Sequence, residues 1–436
     1  MNQKSLASLL ALACLAAGAA HAQMTGPEQR IVAAVKQGSP KALELLEKSV
    51  RINSGTLNVE GVRAVGEVFR AELVDLGFET HWVEMPTDMH RAGHLVAHHE
   101  GSEGKRILLL GHLDTVFDAN STVPLWERQG DRVRGQGVSD MKGGDVIVIE
   151  ALRALKNAGS LDHARIDIIF TGDEERTGAP LAVTREPMVK LAKQADYALS
   201  FEGSGRHEGI DRVSIARRSS TDWALHVQGR PGHSAGVFSP GSGYGAIYEG
   251  ARILNAFRDQ LIEPSLTFNV GAAVGGTDVN YSEATATGTA YGKTNVIARG
   301  FEARGDLRFI STEQGDRVKR HMQDIVAASL PGTQATITFR DSYPPMPATP
   351  AGQRLVELLS KVSQDAGFRP VTTADPASRG AGDIQFTAPY TTGVDGLGAA
   401  GSGAHTDDED LEVASIERGA IRAALLIYRL TRPTPP

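Results

Sequence analysis

The chain has 436 residues and a single cysteine, Cys14. One thiol allows no intrachain disulfide, and beyond the N-terminal segment no thiolate nucleophile or thiolate metal site is available. Any bound metal must rest on His, Asp and Glu. A basic excess is also missing: 45 Lys and Arg stand against 52 Asp and Glu, a formal charge of −7. That balance argues against a nucleic-acid partner and against an anionic membrane surface. No apolar run reaches the length of a bilayer span, and there is no internal repeat or low-complexity tract. What is present is 41% hydrophobic and 22% charged residues, the make-up of a globular protein with room for two or three domains.

The first residues read as a secretory signal. Lys4 is their only charge, Leu6 to Ala16 is apolar, and Ala20-His21-Ala22 is a small-x-small cleavage site. Cys14 lies inside the apolar run and lacks a leucine three residues before it, unlike a lipoprotein site. The expectation is a secreted or periplasmic protein, cleaved near Ala22 and one unit more acidic after the loss of Lys4.

Strand and helix patterns then alternate. A helical region from Pro27 to Phe78 breaks at Asn53-Ser54-Gly55 and ends at Gly77, a C-cap residue. Arg106 to Gly111, Arg165 to Phe170 and Ala195 to Phe201 read as buried strands, with a helix from Gly144 to Leu155 between the first two. Such alternation predicts an α/β sheet sandwiched by helices. From about Arg212 the pattern changes. Strands over Arg212–Gln228, Leu266–Val274, Phe301–Ile310 and Gln334–Arg340, with helices over Gly243–Leu261 and Thr312–Leu330, give the order β-α-β-β-α-β. That is a ferredoxin-like α+β unit inserted into the first domain. The expected division is a signal over 1–22, a first catalytic segment over 23–211, a lid over 212–341, and a second catalytic segment over 342–436.

Chemistry-bearing residues gather where strands end. His112 and Asp114 follow the first strand, Glu174 and Glu175 the second, and Glu202 the third. In an open α/β sheet, sites lie beyond the carboxyl ends of strands, so these groups should converge. Asp140, in Gly137-Val138-Ser139-Asp140-Met141-Lys142-Gly143-Gly144, is read as a carboxylate shared by two cations, each oxygen facing one of them. Its plainer alternative is an N-cap for the following helix. His112 and Asp114 suit a ligand and the group that orients its ring. Neighbouring side chains on an extended segment point to opposite sides, so one glutamate of the pair can bind metal while the other serves as a general base. His405, in a glycine-rich loop before the last helix, is a candidate final ligand. His94, His98 and His99 are expected to be exposed. In the insertion, His233 sits on a tight loop, with Asn295 and Arg308 further on.

The segments Gly-His112-Leu-Asp114-Thr, Ser-Asp140-Met-Lys-Gly-Gly, Asp-Glu174-Glu175, Phe-Glu202 and Gly-Ala-His405 together resemble the dizinc exopeptidase family with a peptidase-dimerisation domain. That family includes aminoacylases, succinyl-diaminopimelate desuccinylases and secreted glutamate carboxypeptidases of the carboxypeptidase G type. The resemblance covers nearly the whole mature chain in the same domain order. It implies a zinc-exopeptidase-like mixed sheet with a lid and dimerisation domain, and two Zn²⁺ per subunit, with Co²⁺ or Mn²⁺ as substitutes. Asp140 would bridge the two ions, His112 and Glu202 would complete one site, and Glu175 and His405 the other. It further implies Glu174 as general base, Asp114 as the group orienting His112, and a homodimer through the lid in which His233 reaches the neighbouring active site. Asn295 and Arg308 would then contact the substrate. The sequence departs from the family at Ala298, at Arg379-Gly380-Ala381-Gly382-Asp383 and over Gly205 to Ser220.

The expected function is a secreted zinc metallopeptidase that cleaves an amide bond of a short peptide or N-acyl amino acid, as a carboxypeptidase releasing a residue such as glutamate. The alternatives are an aminoacylase or dipeptidase of the same family, another dimetal hydrolase such as a phosphatase, and a non-catalytic metal-binding protein with a relict site.

Overall fold

The computed structural model describes residues 24–432; the expected signal segment lies outside them. Helices α1 (Gly26–Val50) and α2 (Val59–Leu76) come first. Thr25 and Glu28 form a reciprocal capping box at the start of α1. Gly77, at φ 96°, ends α2 in the left-handed region, where a residue without Cβ carries no steric cost.

The central sheet has six strands, in the spatial order Glu79–Val83, His94–His99, Ala164–Thr171, Glu103–His112, Tyr197–Ser200, Thr392–Val394. The last four are parallel to one another, and the first two join antiparallel at one edge. Strand side chains alternate between two cores, as the period of two requires. Ile107 and Leu109 face a large core with α1, α2, α3 (Gly143–Asn157), and two helices from the end of the chain. Leu108 and Leu110 face a second core that includes Met188 and Ala192 of α4 (Leu181–Ala192). Both faces are therefore covered by helix.

The strand His94–His99 corrects one expectation. His94 is fully buried: its Nε2 donates to the Thr184 carbonyl at 2.7 Å and its Nδ1 accepts the Gly172 N–H at 3.3 Å. His98 lies 2.7 Å from Asp167 across the strand pair, and both His98 and His99 are half-buried. A strand paired on both sides, one place in from the sheet's edge, leaves no fully solvent-facing side for them.

The inserted unit has its own sheet and core. Its strands lie in the order Thr267–Phe268, Gly300–Arg308, Thr221–Gly229, Thr333–Asp341, and Ala272–Gly276 also pairs with Gly300–Arg308. All neighbours are antiparallel. Helices α5 (Ala246–Gln260) and α6 (Thr312–Ala327) cover one face around Trp223, Leu225, Phe257 and Met322. The order is that of a ferredoxin-like unit.

Two strand expectations are corrected here. Arg212–Gln228 is not one strand: Ile210–Val213 pairs in parallel with Thr372–Thr373 of the catalytic domain, and the lid sheet starts at Thr221. Residue 212 thus falls inside a strand tied to the first domain. Leu266–Val274 is two short strands, broken where Asn269 and Gly271 bond individually to Asp306 and Arg304. A hairpin, Asp278–Ser282 with Thr287–Tyr291, follows them. The chain returns through α7 (Pro350–Asp365) and closes with α8 (Val413–Thr431) against α1 and α3.

Candidate active site

The register of the parallel strands sets the site. His112 stands opposite Thr171, and Leu110 opposite Ser200, so Glu202, two residues on, comes level with His112. Asp140 reaches the same place from a tight turn before α3. The N-cap position of α3 is Lys142, and Asp140, at φ −123° and ψ 91°, lies before it outside helical geometry. The capping alternative therefore fails. Close approach of this turn to the Glu202 strand requires Gly144, because a Cβ there would lie 1.9 Å from the Phe201 carbonyl oxygen.

Asp140 holds the centre. Its Oδ1 is 3.2 Å from His112 Nε2, and its Oδ2 is 3.1 Å from His405 Nε2. Glu202 lies 3.6 Å from His112, and Glu175 Oε2 lies 3.1 Å from His405. The donor atoms of His112, Asp140 and Glu202 all lie within 4.8 Å of one another, and so do those of Asp140, Glu175 and His405. These are two three-residue groups sharing one carboxylate. His405, at φ 65°, hangs from an exposed loop; the other imidazole is fully buried.

Electrostatics test whether these residues fit cations. Burial would lower the pKa of His112, but Glu202, Asp140, Glu174 and Asp114 lift it well above that of an ordinary histidine. Hydrogen bonds to Asp140 and Glu175 lift His405 to about 11. Burial works against the charge of Asp140, yet both imidazoles together hold its pKa below the carboxylate range. Burial and the Asp140 charge push Glu202 up to about 8, and burial with the Glu202 charge pushes Glu174 well above its usual value. Glu175 Oε1 is buried without a hydrogen-bond partner. So many desolvated acids around one point fit a site for divalent cations, with imidazole and carboxylate the donors such ions accept.

The sequence pointed to only some of the supporting residues. His112 Nδ1 donates to the Asp114 backbone carbonyl at 3.0 Å, whereas the Asp114 carboxylate is 3.6 Å away. That carboxylate instead accepts the N–H of Glu174 at 3.0 Å, the N–H of Glu175 at 3.1 Å, and the Thr56 hydroxyl at 2.6 Å. Asp114 thus orients the ring through its backbone and the two glutamates through its side chain. Burial pushes its carboxyl to about 7.

Three further supports left no signal strong enough to read. Buried Glu409 accepts the backbone N–H groups of Gly137, Ser139 and Asp140. Buried Arg185 bonds Asp173 at 2.5 Å and Asp383 at 2.7 Å, bracing the loop that carries Glu174. The Tyr343 hydroxyl donates to the Glu174 carbonyl at 3.2 Å. Asp173, next to Glu174 in the same acidic run, was the one available hint.

The lid residues stand apart. The Ser234 N–H donates to the Asn295 carbonyl at 3.0 Å, which joins the His233 and Asn295 loops. Arg308 bonds Asp306 at 2.9 Å on the lid sheet. Among the described residues, no hydrogen bond or ion pair joins His233, Asn295 or Arg308 to the Asp140 cluster.

Residues 108–429 match the profile of Peptidase family M20/M25/M40. The chain is 27% identical to carboxypeptidase G2 of Pseudomonas sp. (strain RS-16) over 440 residues, covering 99% of this chain and 98% of that protein. Its fold is similar to that of aminopeptidase PepT from Bacillus cereus ATCC 10987, with a TM-score of 0.70 and 18% identity over 90% of this chain and 99% of that one. It also matches the YXEP protein of Bacillus subtilis, described as a dinuclear metal-binding peptidase, with a TM-score of 0.62 and 14% identity over 91% and 99%. A profile running from the strand Glu103–His112 to the last helix, over this strand-end cluster, means that the chain belongs to peptidase family M20/M25/M40 and is a metallo-hydrolase.

Proposed function

We propose that this protein is an exported, zinc-dependent carboxypeptidase. It would cleave the amide bond of a short peptide or N-acyl amino acid and release a C-terminal residue such as glutamate. The observation that carries this reading is the pair of ligand groups sharing Asp140, with Glu174 beside them and free of either group. Similarity to carboxypeptidase G2 along almost the full chain supports the choice of substrate end.

His112, Asp140 and Glu202 would hold one Zn²⁺, and Asp140, Glu175 and His405 the other. When bound, such ions supply Lewis acidity, polarising the amide carbonyl and lowering the pKa of the attacking water. Glu174 takes that water's proton as the C–O bond forms. It then gives the proton to the amide nitrogen as the C–N bond breaks, so the amine leaves neutral. Asp114 and Tyr343 hold the Glu174 backbone at the required place. Arg308 and Asn295 on the lid receive the substrate's terminal carboxylate. His233 completes the site of a second copy across a lid-to-lid dimer, so the lid must close for turnover.

The test is a panel of N-acyl amino acids and dipeptides offered to the zinc-loaded protein, with a chelated sample alongside. Turnover that stops on chelation and returns with zinc is expected. Turnover that survives complete metal removal would reject the reading.

A further inference from the structure

Most guanidinium groups around the ligand cluster are neutralised. Arg185 pairs with Asp173 and Asp383, and Arg217 with Asp395. Arg379 is different. Neither it nor Arg218 has a carboxylate partner among the described residues, and the Nε of each is buried without a hydrogen bond. Arg218, however, engages both terminal nitrogens, with Thr267 and Ala377, and Arg379 only one. That one bond runs from Nη2 of Arg379 to the carbonyl of Gly203 at 3.0 Å. Gly203 directly follows Glu202, and a Cβ on it would meet the carbonyl oxygen of Ser139, beside Asp140, at 3.4 Å. The guanidinium therefore touches the residue next to Glu202, and that residue packs against the one before Asp140.

The segment carrying Arg379 is held from both sides. Arg217 donates to the carbonyls of Gly380, at 2.6 Å, and Ala381, at 3.3 Å. Arg218 reaches Ala377 with one nitrogen and Thr267 of the lid sheet with another, at 3.4 and 2.9 Å. Thr267 is the strand neighbour of Arg308. Residues 377–381 thus run between the metal-ligand cluster and the lid strand that carries Arg308. A planar fork with a spare donor and an unneutralised charge is suited to grip a carboxylate. A purely structural tie to one carbonyl would need no charge.

We propose that Arg379 is a specificity-determining residue that receives a second carboxylate of the substrate, beyond the terminal one. The substrates selected are amides bearing an extra acid next to the scissile bond. That acid can be the side chain of a released aspartate or glutamate, or the far end of a dicarboxylic acyl group. The proposal rests on the amide-hydrolase reading above and adds the substrate class to it.

The test uses matched pairs on the zinc-loaded full chain: N-acetyl-glutamate against N-acetyl-glutamine, and N-succinyl-alanine against N-butyryl-alanine. Arg379→Gln keeps a donor for Gly203 and removes the charge; Arg379→Lys keeps the charge and loses the fork. In the pair whose acid Arg379 reads, kcat/KM for the acidic member should fall about 10–100-fold more than for the neutral member in Arg379→Gln. The loss should lie mainly in KM, with Arg379→Lys intermediate. The responding pair tells whether the acid lies on the amine or the acyl side. An equal loss on both members, or no loss, would overturn the role of Arg379 while leaving the hydrolase reading in place. Wild-type protein that turns over no member of either pair would overturn both. Melting curves of the variants exclude misfolding as the source of a selective loss.

Discussion

The backbone N–H of Asp140 donates to the carboxylate of Glu409 at 2.9 Å, although the two residues are 269 apart in sequence. The same carboxylate accepts from Gly137 at 3.1 Å, and from the Ser139 N–H and hydroxyl at 2.9 and 3.0 Å. One buried side chain therefore fixes the turn that aims both oxygens of Asp140. It also sits four residues after His405, and its own N–H bonds to the Thr406 carbonyl. Burial pushes its pKa up to about 7, partly offset by these donors. Glu409→Ala should weaken metal affinity about 10–100-fold, the usual effect of losing a ligand's support. Glu409→Gln should lose less, because one amide oxygen can still accept the three bonds to Oε1. Metal titration by calorimetry would check the order; equal losses would mean that charge alone matters.

The central sheet and the gathering of His112, Glu174, Glu175 and Glu202 at strand ends were legible because both follow from local pattern. Apolar runs mark strands, and acids or imidazoles at strand ends mark a site. The places of Asp140 and His405, and the division of roles between Glu174 and Glu175, rested instead on the family resemblance. Glu409 and Arg185 were not legible, because their meaning lies in partners far along the chain. The hairpin at Asp278–Tyr291 escaped for another reason. Its second strand, Thr287–Tyr291, is exposed throughout and so carries no alternation to read. Helix α4 was hidden by Pro187 inside it and by a weakly sided pattern in which only Thr184, Arg185, Met188 and Ala192 are buried. His94 was misjudged because a buried, hydrogen-bonded histidine looks the same in sequence as an exposed one.

Glu174 belongs to neither ligand group, yet its backbone is pinned by Asp114 and Tyr343. Its side chain should therefore be needed for proton transfer and dispensable for metal binding. Glu174→Gln should lower kcat about 10²–10⁴-fold with the metal content of the wild type. Elemental analysis beside a kinetic assay separates the two effects. Loss of metal together with activity would make Glu174 a ligand instead.

The two ligand groups predict a stoichiometry. His112→Ala and His405→Ala each damage one group, while Asp140→Ala damages both, because only Asp140 is shared. Each histidine variant should retain one tightly bound cation and Asp140→Ala none. His405 comes from an exposed loop at φ 65°, so its variant should melt close to wild type in the apo form. His112 is fully buried and bonded at both nitrogens, so its removal should cost stability as well, of order 1–3 kcal/mol. Two cations remaining in either histidine variant would break the assignment.

Asp211 offers a pH test away from the cluster. It lies on the strand Ile210–Val213 and bonds Arg418, at 3.1 Å, and Arg422, one turn apart on α8. Burial opposes its charge, but the hydrogen bond from Arg422 and the cations of Arg422, Arg418 and Arg206 outweigh that and hold its pKa below the ordinary value. A depressed carboxyl stabilises the fold fully above its unfolded pKa, and that contribution disappears as pH falls through the folded value. Asp211→Asn should therefore destabilise at pH 7, by about 3–5 kcal/mol, since it strands the buried Arg422 guanidinium without its acid, while Arg418 keeps Glu412. The gap to wild type should hold down to about pH 4, the unfolded value of an aspartate, and narrow below it. Urea unfolding of the apo forms at pH 7, 5 and 3 gives the comparison. A gap that stays constant to pH 3 would mean that shape, and not the charge of Asp211, joins the strand to α8.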